Sequence, residues 1–202
     1  MKFDVTFFIG LVFLIFGFAA ISNTLLSLDE GLAPIMWFSY IGLIVLAIGC
    51  FRRNGELIAS QLCILTIPYA FWNIDFFTYL FSGASVWGTA DYLFLEGALI
   101  GKIISLQHIF NIPLSFLALG LIGLKRRDFW KISIAEIVIL FFASRLFTSY
   151  EQNVNCVYHN CATFDLGLWY PLQWFLVYGI TIFVTSWILK SIFYKNRDNK
   201  KL

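Results

Sequence analysis

The feature that most constrains this chain is a series of long apolar runs without charged residues. The first run, Val5 to Leu28, has 24 residues, and a helix needs about 20 to cross the roughly 30 Å hydrocarbon layer of a bilayer. The runs lack the period-two alternation of membrane strands. We therefore expect an all-α, polytopic integral membrane protein that forms one domain over residues 1–202. The expected six-helix transmembrane bundle has spans at about 5–28, 31–51, 57–80, 99–124, 131–150 and 166–190.

The composition supports a membrane environment. Hydrophobic residues make up 60% of the chain and charged residues 13%, whereas an average soluble domain is about 45–50% apolar and about 25% charged. This balance excludes a disordered protein, a nucleic-acid-binding protein and an ordinary cytosolic enzyme. It predicts membrane lipids as partners and leaves the oligomeric state open.

The basic residues orient the predicted spans. They fall before span one, between spans two and three, between spans four and five and after span six, whereas the opposite loops carry acidic residues. The positive-inside rule places such basic segments in the cytoplasm, which predicts a multi-pass protein of the cell membrane with both termini cytoplasmic. The residues behind this assignment are Lys2, Arg52, Arg53, Lys125, Arg126, Arg127, Lys131, Lys190, Lys195, Arg197, Lys200 and Lys201 on one side, and Asp29, Glu30, Asp91, Glu96, Glu151 and Asp165 on the other.

The first apolar run has a competing interpretation as a cleaved signal peptide. Lys2, the apolar stretch and the pair Ala19 and Ala20 fit that pattern. The run is long for a signal peptide and Asp4 stands in its charged leading part, so a retained span is favoured. Cleavage would leave five spans and the other assignments unchanged.

Several predicted spans carry ionisable side chains, which cost about 2.5–3.5 kcal/mol at a helix centre and usually face protein or water. With a rise of about 1.5 Å per residue, polar groups from four helices fall in the outer half of the membrane. The clearest polar face is on span four, where Gln107, His108, Asn111 and Ser115 lie within about 100° of the helix circumference. The polar cluster predicted from this shared depth comprises Asn73, Asp75, Lys102, His108, Asn111, Arg145 and Gln173.

This cluster predicts a site that binds or modifies a lipid-like or amphipathic substrate from the outer leaflet. His108 is the candidate catalytic acid or base, because only histidine titrates near neutrality without a shift. Lys102 and Arg145 are candidates to bind a phosphate or carboxylate headgroup. The other predicted ligand-binding residues are Asn73, Asp75, Asn111 and Gln173. The sequence indicates no nucleophile, cofactor or metal site, so it predicts no reaction type.

We expect His108 and Arg145 to project into the bundle, with Arg145 paired to Asp75 or to a bound anion. The reason is that an unpaired polar group in hydrocarbon is penalised. The alternative for each side chain is a structural role. A polar contact between membrane helices contributes about 0.6 kcal/mol on average, and long basic side chains can extend to the headgroups.

Only Glu136 and Gln61 are expected in the inner half of the membrane. Glu136 is expected to be structural, reaching cytoplasmic water or pairing with Arg126, Arg127 or Lys131. A small transporter is an alternative function, although two polar groups are too few to line a path. A non-catalytic membrane assembly subunit, with its polar groups joining helices, is a further alternative.

The loop between spans five and six carries Cys156 and Cys161 on the predicted oxidising side. Two cysteines with four residues between them indicate a disulfide that closes a small loop. A zinc site that also uses His159 is the alternative, but structural zinc normally takes four ligands and only three are at hand. Cys50 and Cys63 lie in the inner half and are expected to be small apolar core residues.

Overall fold

A computed structural model describes residues 4–27, 31–161 and 166–194, which form helices joined by loops. Short 3₁₀ helices lie at Ala33–Met36, Asp91–Leu93 and Val154–Cys156. The described residues contain no β-strand, which confirms the all-α class. The α-helices are α1 (Val5–Ser27), α2 (Phe38–Phe51), α3 (Gly55–Ser82), α4 (Leu99–Ser105), α5 (Gln107–Ile122), α6 (Trp130–Phe147) and α7 (Tyr170–Phe193).

Four helical segments in the described part of the chain are long and apolar enough to cross a membrane: α1, α3, the combined α4–α5 segment and α7. Helix α2 has 14 residues, and α6 contains Lys131, Glu136 and Arg145 within its 18 residues. The predicted span 31–51 is not one helix, because the backbone is extended at Trp37 (φ −56°, ψ 132°) between the first 3₁₀ helix and α2. The six predicted spans thus correspond to six helical segments, of which four have the length and composition to cross a membrane.

The ends of α3 follow from its local sequence. The Asn54 side chain accepts a hydrogen bond of 3.1 Å from the backbone N–H of Glu56 and so caps the first turn. Gly83 ends the helix with a φ of 76°, a left-handed conformation that glycine adopts without steric cost. Gly55 permits a close helix contact, since a Cβ atom there would lie 2.1 Å from the carbonyl oxygen of Gly123.

Helix α3 occupies the centre of the bundle. It packs against α2, α5, α6 and α7, whereas α1 packs against α2, α4 and α5 at one side. Of the four membrane-length segments, α3 is the most buried. Polar side chains on α3 therefore meet several neighbouring helices.

The connections between helices gather at two ends of the bundle. The basic end contains residues 52–54, 123–129 and 194, and the loop end contains residues 31–37, 83–98 and 148–161. At the basic end Arg53 pairs with Asp4 at 2.9 Å, and Arg127 lies 4.3 Å from the ring centre of Tyr194. The hydroxyl of Thr6, which donates to Asp4 at 2.6 Å, together with Arg53 lowers the pKa of Asp4.

Some of the charged residues that orient the predicted spans lie outside the part of the chain that the structure describes. The described basic residues at 52, 53 and 125–127 all lie at the basic end. The assignment of this end to the cytoplasm stays a prediction. Eight of these charged residues lie outside the described residues: Lys2, Asp29, Glu30, Asp165, Lys195, Arg197, Lys200 and Lys201.

Candidate functional site

A ladder of buried polar side chains runs along α5 where it faces α3. The Tyr69 hydroxyl lies 3.1–3.2 Å from the amide atoms of Gln107. Asn111 donates to Gln107 Oε1 at 3.1 Å, and Ser115 donates to Asn111 Oδ1 at 3.4 Å. Since positions i, i+4 and i+8 share a helix face, these bonds form a continuous row that satisfies buried groups and holds α5 to α3.

His108 lies at the start of this ladder, against two aromatic rings of α3. Its ring centre is 4.4 Å from that of Tyr69 and 4.6 Å from that of Trp72, nearly parallel to the indole. His108 Nδ1 lies 2.7 Å from the carbonyl oxygen of Ser105. Because a carbonyl only accepts, Nδ1 carries the hydrogen and Nε2 keeps its lone pair. Nε2 lies 3.4 Å from the amide nitrogen of Gln107, so its lone pair faces a hydrogen-bond donor.

Asn73 connects α3 and α5 at the level of His108. Its amide donates to the backbone carbonyls of Tyr69 at 2.8 Å and His108 at 2.9 Å. On the same side, the indole N–H of Trp72 donates to the hydroxyl of Tyr92 at 3.1 Å. Segment 83–98 of the loop end therefore covers the aromatic residues that hold the histidine.

An apolar groove of about 270 Å³ lies between α1 and α4. Its rim is open, since Ile15 and Ile103 are 56% and 49% exposed. Ile104 belongs to the groove and precedes His108 by four residues, across the junction of α4 and α5. The residues that line the groove are Ile15, Phe16, Ala19, Ile100, Ile103 and Ile104.

Asp75 and Lys102, two predicted ligand-binding residues, bond to segment 83–98. The buried Asp75 carboxylate accepts four hydrogen bonds of 2.6–2.9 Å, from the backbone N–H groups of residues 86, 87 and 89 and from the hydroxyl of Thr89. The Lys102 ammonium donates to the carbonyl of Leu95. Asp75 thus bonds segment 83–98 to α3, and Lys102 bonds the same segment to α4.

Arg145 belongs to a second polar group at the loop end. Its guanidinium donates to the carbonyl oxygen of Val157 from Nε at 3.1 Å and from Nη2 at 2.8 Å. It also lies 5.0 Å and 5.2 Å from the ring centres of Phe141 and Tyr158. The expected pairing with Asp75 is wrong for the described residues, because the loop after α6 folds back and offers Arg145 a backbone carbonyl.

Asn155 is the centre of this second group, and sequence reasoning did not single it out. The side chain, 2% exposed, donates to the carbonyl of Met36 at 2.8 Å and to the hydroxyl of Ser144 at 3.1 Å. Its Oδ1 accepts from the backbone N–H of Phe38 at 2.8 Å. Since residues 36 and 38 flank the extended Trp37, the Asn155 amide supplies partners to backbone groups at this helix break.

The loop around Asn155 has an unusual backbone. Asn155 and Cys156 have φ values of 56° and 55°, and asparagine tolerates this left-handed region better than most residues. The sulfur atoms of Cys156 and Cys161 lie 2.04 Å apart, at disulfide distance, in agreement with the sequence prediction. Gln173 of α7 donates to the side chain of Asn160 at 3.0 Å. We call residues 149–161, with Arg145 and Gln173, the loop-end cap.

A further polar layer near the basic end joins α3 to α6. Gln61 donates to Glu136 Oε2 at 2.5 Å, and the hydroxyl of Ser133 donates to the carbonyl of Ser60 at 2.9 Å. The two buried serines add polar groups that sequence reasoning overlooked, because serines are common in membrane helices and carry no charge to mark them.

Of the two arrangements expected for Glu136, pairing with a basic residue is wrong for the described residues. Lys131 and Arg126 both bridge to Asp128, at 3.7 Å and 3.2 Å. Lys131 and Glu136 are five residues apart, which places them about 140° apart around the helix. Glu136 therefore turns toward α3 and bonds to Gln61, while Lys131 stays at the surface.

The structure separates the predicted cluster, and a ligand-binding role for its members stays a prediction. In the described part of the chain, no three His, Cys, Asp or Glu side chains are placed to hold a metal ion. The seven predicted site residues fall into three groups, which are Asn73, His108 and Asn111 between α3 and α5, Asp75 and Lys102 against segment 83–98, and Arg145 and Gln173 in the loop-end cap.

Comparison of the chain with known proteins finds no matching family model, no matching curated protein and no matching solved structure.

Proposed function

We propose that this protein binds an amphipathic, lipid-like molecule in a membrane-embedded bundle, with an apolar chain in the α1–α4 groove and a polar end beside His108. The observation that carries the proposal is the groove. All of its lining side chains are apolar, and it opens on helices long enough to cross a membrane. Around such helices the surrounding molecules are lipids, so an acyl chain is the occupant that the environment supplies.

His108 is proposed to recognise the polar end of this ligand. The rings of Tyr69 and Trp72 and the carbonyl of Ser105 fix its imidazole and leave Nε2 as an acceptor. A ligand hydroxyl or amide N–H is the chemical group that such a nitrogen binds. If the ligand is also modified, Nε2 is the atom that would take the proton.

Lys102 is proposed to bind an anionic headgroup, because α4 also supplies half of the groove. It lies between the groove residues Ile100 and Ile103 in sequence, and its ammonium has three donors, of which one bonds to Leu95. Arg145 is left out of the proposed site, since its donors serve the loop-end cap.

The groove is tested by photolabelling of the protein in vesicles that contain a phospholipid with a photoreactive acyl chain. We expect labelling of the wild type and loss of most of it in Ala19→Trp, because the indole fills the groove. Ala135→Trp is the matched control, since Ala135 is exposed on α6 outside the groove. Ala19→Phe repeats the test with a smaller side chain. Equal labelling of all these proteins would contradict the proposal.

We also propose that the basic end faces the cytoplasm, on the strength of its arginines and lysines. Reporter fusions after Arg53 and Arg127 should then give a cytoplasmic signal. Fusions near Asp91 and Asn155 should give an external signal. The opposite pattern would overturn this orientation.

A small transporter is a second candidate, favoured by the polar layer at Gln61 and Glu136. With this layer and the α5 ladder, polar groups occur at two levels of the bundle. Transfer of a labelled phospholipid between the leaflets of proteoliposomes tests this function. Transfer no faster than in protein-free vesicles, together with normal photolabelling, would favour binding without transport.

A further inference from the structure

Three buried polar atoms without a hydrogen-bond partner lie at one level near the basic end. They are Gln61 Oε1, Glu136 Oε1 and Ser186 Oγ. Each residue is six or seven positions from the basic end of its helix, a depth of about 9–11 Å. The helices α3, α6 and α7 pack against one another, and we call these three side chains, which lie at one depth, the Glu136 layer.

The polar atoms of this layer are shielded from water, and only some of the polar atoms on these three side chains have hydrogen-bond partners. Gln61 is fully buried and Ser186 is 1% exposed. Glu136 Oε2 accepts from Gln61 Nε2 at 2.5 Å, which leaves Oε1 as the open carboxyl atom. An unpaired buried polar group costs about 1–3 kcal/mol, and an ionised carboxylate without a partner costs far more. An additional hydrogen-bond donor or a positive charge would therefore stabilise this layer.

No basic side chain neutralises Glu136 among the described residues. In the half of α3, α6 and α7 that is nearest the basic end, the other titratable groups are Glu56, Cys63, Lys131 and Lys190. Glu56 accepts from the backbone N–H groups of residues 125 and 126, and Lys131 bridges to a neighbouring aspartate. Lys190 lies over an aromatic ring, and Cys63 is a buried free thiol. The 3₁₀ helices that touch α6 contain no charged residue.

We propose that the Glu136 layer binds a proton, which Glu136 carries as a neutral carboxyl in the folded protein. A proton from water on Oε1 turns an unpartnered acceptor into a donor, while Oε2 continues to accept from Gln61. Gln61 Oε1 and Ser186 Oγ are open acceptors of the kind that this O–H needs. The proton site is separate from the α1–α4 groove and does not depend on the proposed lipid binding.

Infrared spectroscopy of the full-length protein tests this assignment. At neutral pH we expect a carboxylic-acid C=O band in the wild type that is absent in Glu136→Gln. The band should be retained in Glu96→Gln, a matched change at an exposed glutamate. In Gln61→Leu it should shift, because Oε2 loses its hydrogen bond.

Thermal unfolding provides a second readout. Glutamine has the shape of a neutral carboxyl, so Glu136→Gln should fold and should match the wild-type Tm at about pH 4, where a glutamate of the unfolded chain is also largely protonated. As the pH rises, that glutamate ionises in the unfolded chain while Glu136 stays protonated in the folded protein, so the wild type should lose stability relative to Glu136→Gln but not relative to Glu96→Gln.

Three results would overturn the proposal. One is the absence of the acid band from the wild type. Another is a Tm that sodium chloride raises in the wild type but not in Glu136→Gln, with choline chloride inactive, which would indicate a sodium ion in place of the proton. The third is failure of Glu136→Gln to fold.

Discussion

The α5 ladder and the loop-end cap both concentrate polar side chains toward the loop end, but they use them in different ways. In the ladder the side chains bond mainly to one another, between two adjacent helices. In the cap, Asn155 bonds to backbone groups more than 100 residues away in the chain. We therefore expect the helices to stay in place when one ladder member is lost, whereas loss of Asn155 leaves two backbone groups at the helix break without their side-chain partner.

The ladder region and the cap also differ in the hydrogen-bond partners of their polar side chains. The cap directs the bonds of Arg145 and Asn155 onto backbone and neighbouring side-chain groups. Beside the ladder, His108 Nε2 meets the amide nitrogen of Gln107 at 3.4 Å, and Ile104 of the apolar groove lies four residues earlier in the chain. A shared depth therefore does not define a site. The proposed site adds a second criterion, an apolar groove in the same helical segment.

The largest effect is expected for Asn155→Ala. The backbone N–H of residue 38 and the carbonyl of residue 36 would lose their side-chain partner, at about 1–3 kcal/mol for each group left unpaired. The comparison variant is Ser115→Ala at the end of the ladder, which removes one side-chain hydrogen bond to Asn111, so its cost should be about 1 kcal/mol. Equal losses of Tm in detergent for the two variants would remove the distinction between cap and ladder.

A smaller loss is expected when the disulfide of the cap is removed. In the chain-entropy view, closing so short a loop contributes about 2 kcal/mol, so Cys161→Ser should lower the Tm less than Asn155→Ala does. Mass spectrometry of unreduced, alkylated protein should find label on Cys50 and Cys63 after unfolding, but none on Cys156 and Cys161. Two free thiols in the loop, or zinc in stoichiometric amount, would contradict the pairing.

Tyr69→Phe is expected to lower stability by about 1 kcal/mol, the typical contribution of one internal hydrogen bond. The ring remains beside His108, so lipid photolabelling should be unchanged. Parallel measurement of Tm and labelling checks both statements. A loss of labelling as large as that in Ala19→Trp would mean that the ladder itself contacts the ligand.

The smallest change in stability is expected for His108→Phe, since a phenyl ring keeps the contacts with Tyr69 and Trp72 but lacks Nε2. If Nε2 recognises the ligand, retention of bound lipid in native mass spectrometry should fall while the Tm shifts little. The result expected of a purely structural residue is the reverse, with a lowered Tm and unchanged lipid retention.

The sequence predicts most of the helices because membrane spans depend on local composition. Span 57–80 becomes α3 at Gly55–Ser82, and span 5–28 becomes α1 at Val5–Ser27. The break at Trp37 has no such local signal, since its backbone groups are paired by Asn155, 118 positions along the chain. Likewise, the inward turn of Glu136 follows from helix geometry, but the identity of its partner depends on how α3 packs.

The candidate site could be predicted only in part. The polar face of α5 follows from residue spacing, and the structure shows it against α3. The groove beside it has no sequence signature, because isoleucines that line a cavity look like isoleucines that face lipid. The partners of Asp75 and Arg145 are backbone groups in loops, which residue types do not reveal.

We propose that the lipid-like ligand lies in the α1–α4 groove and not in the loop-end cap. Peptide mass spectrometry that maps the photolabelled residues tests this placement most directly. We expect label on α1 and α4, at residues such as Ile15 and Ile103. A second cavity, of about 400 Å³, lies at the loop end beside Met36, Phe147 and Gln152. Label concentrated around that cavity, with α1 and α4 unlabelled, would contradict binding in the groove.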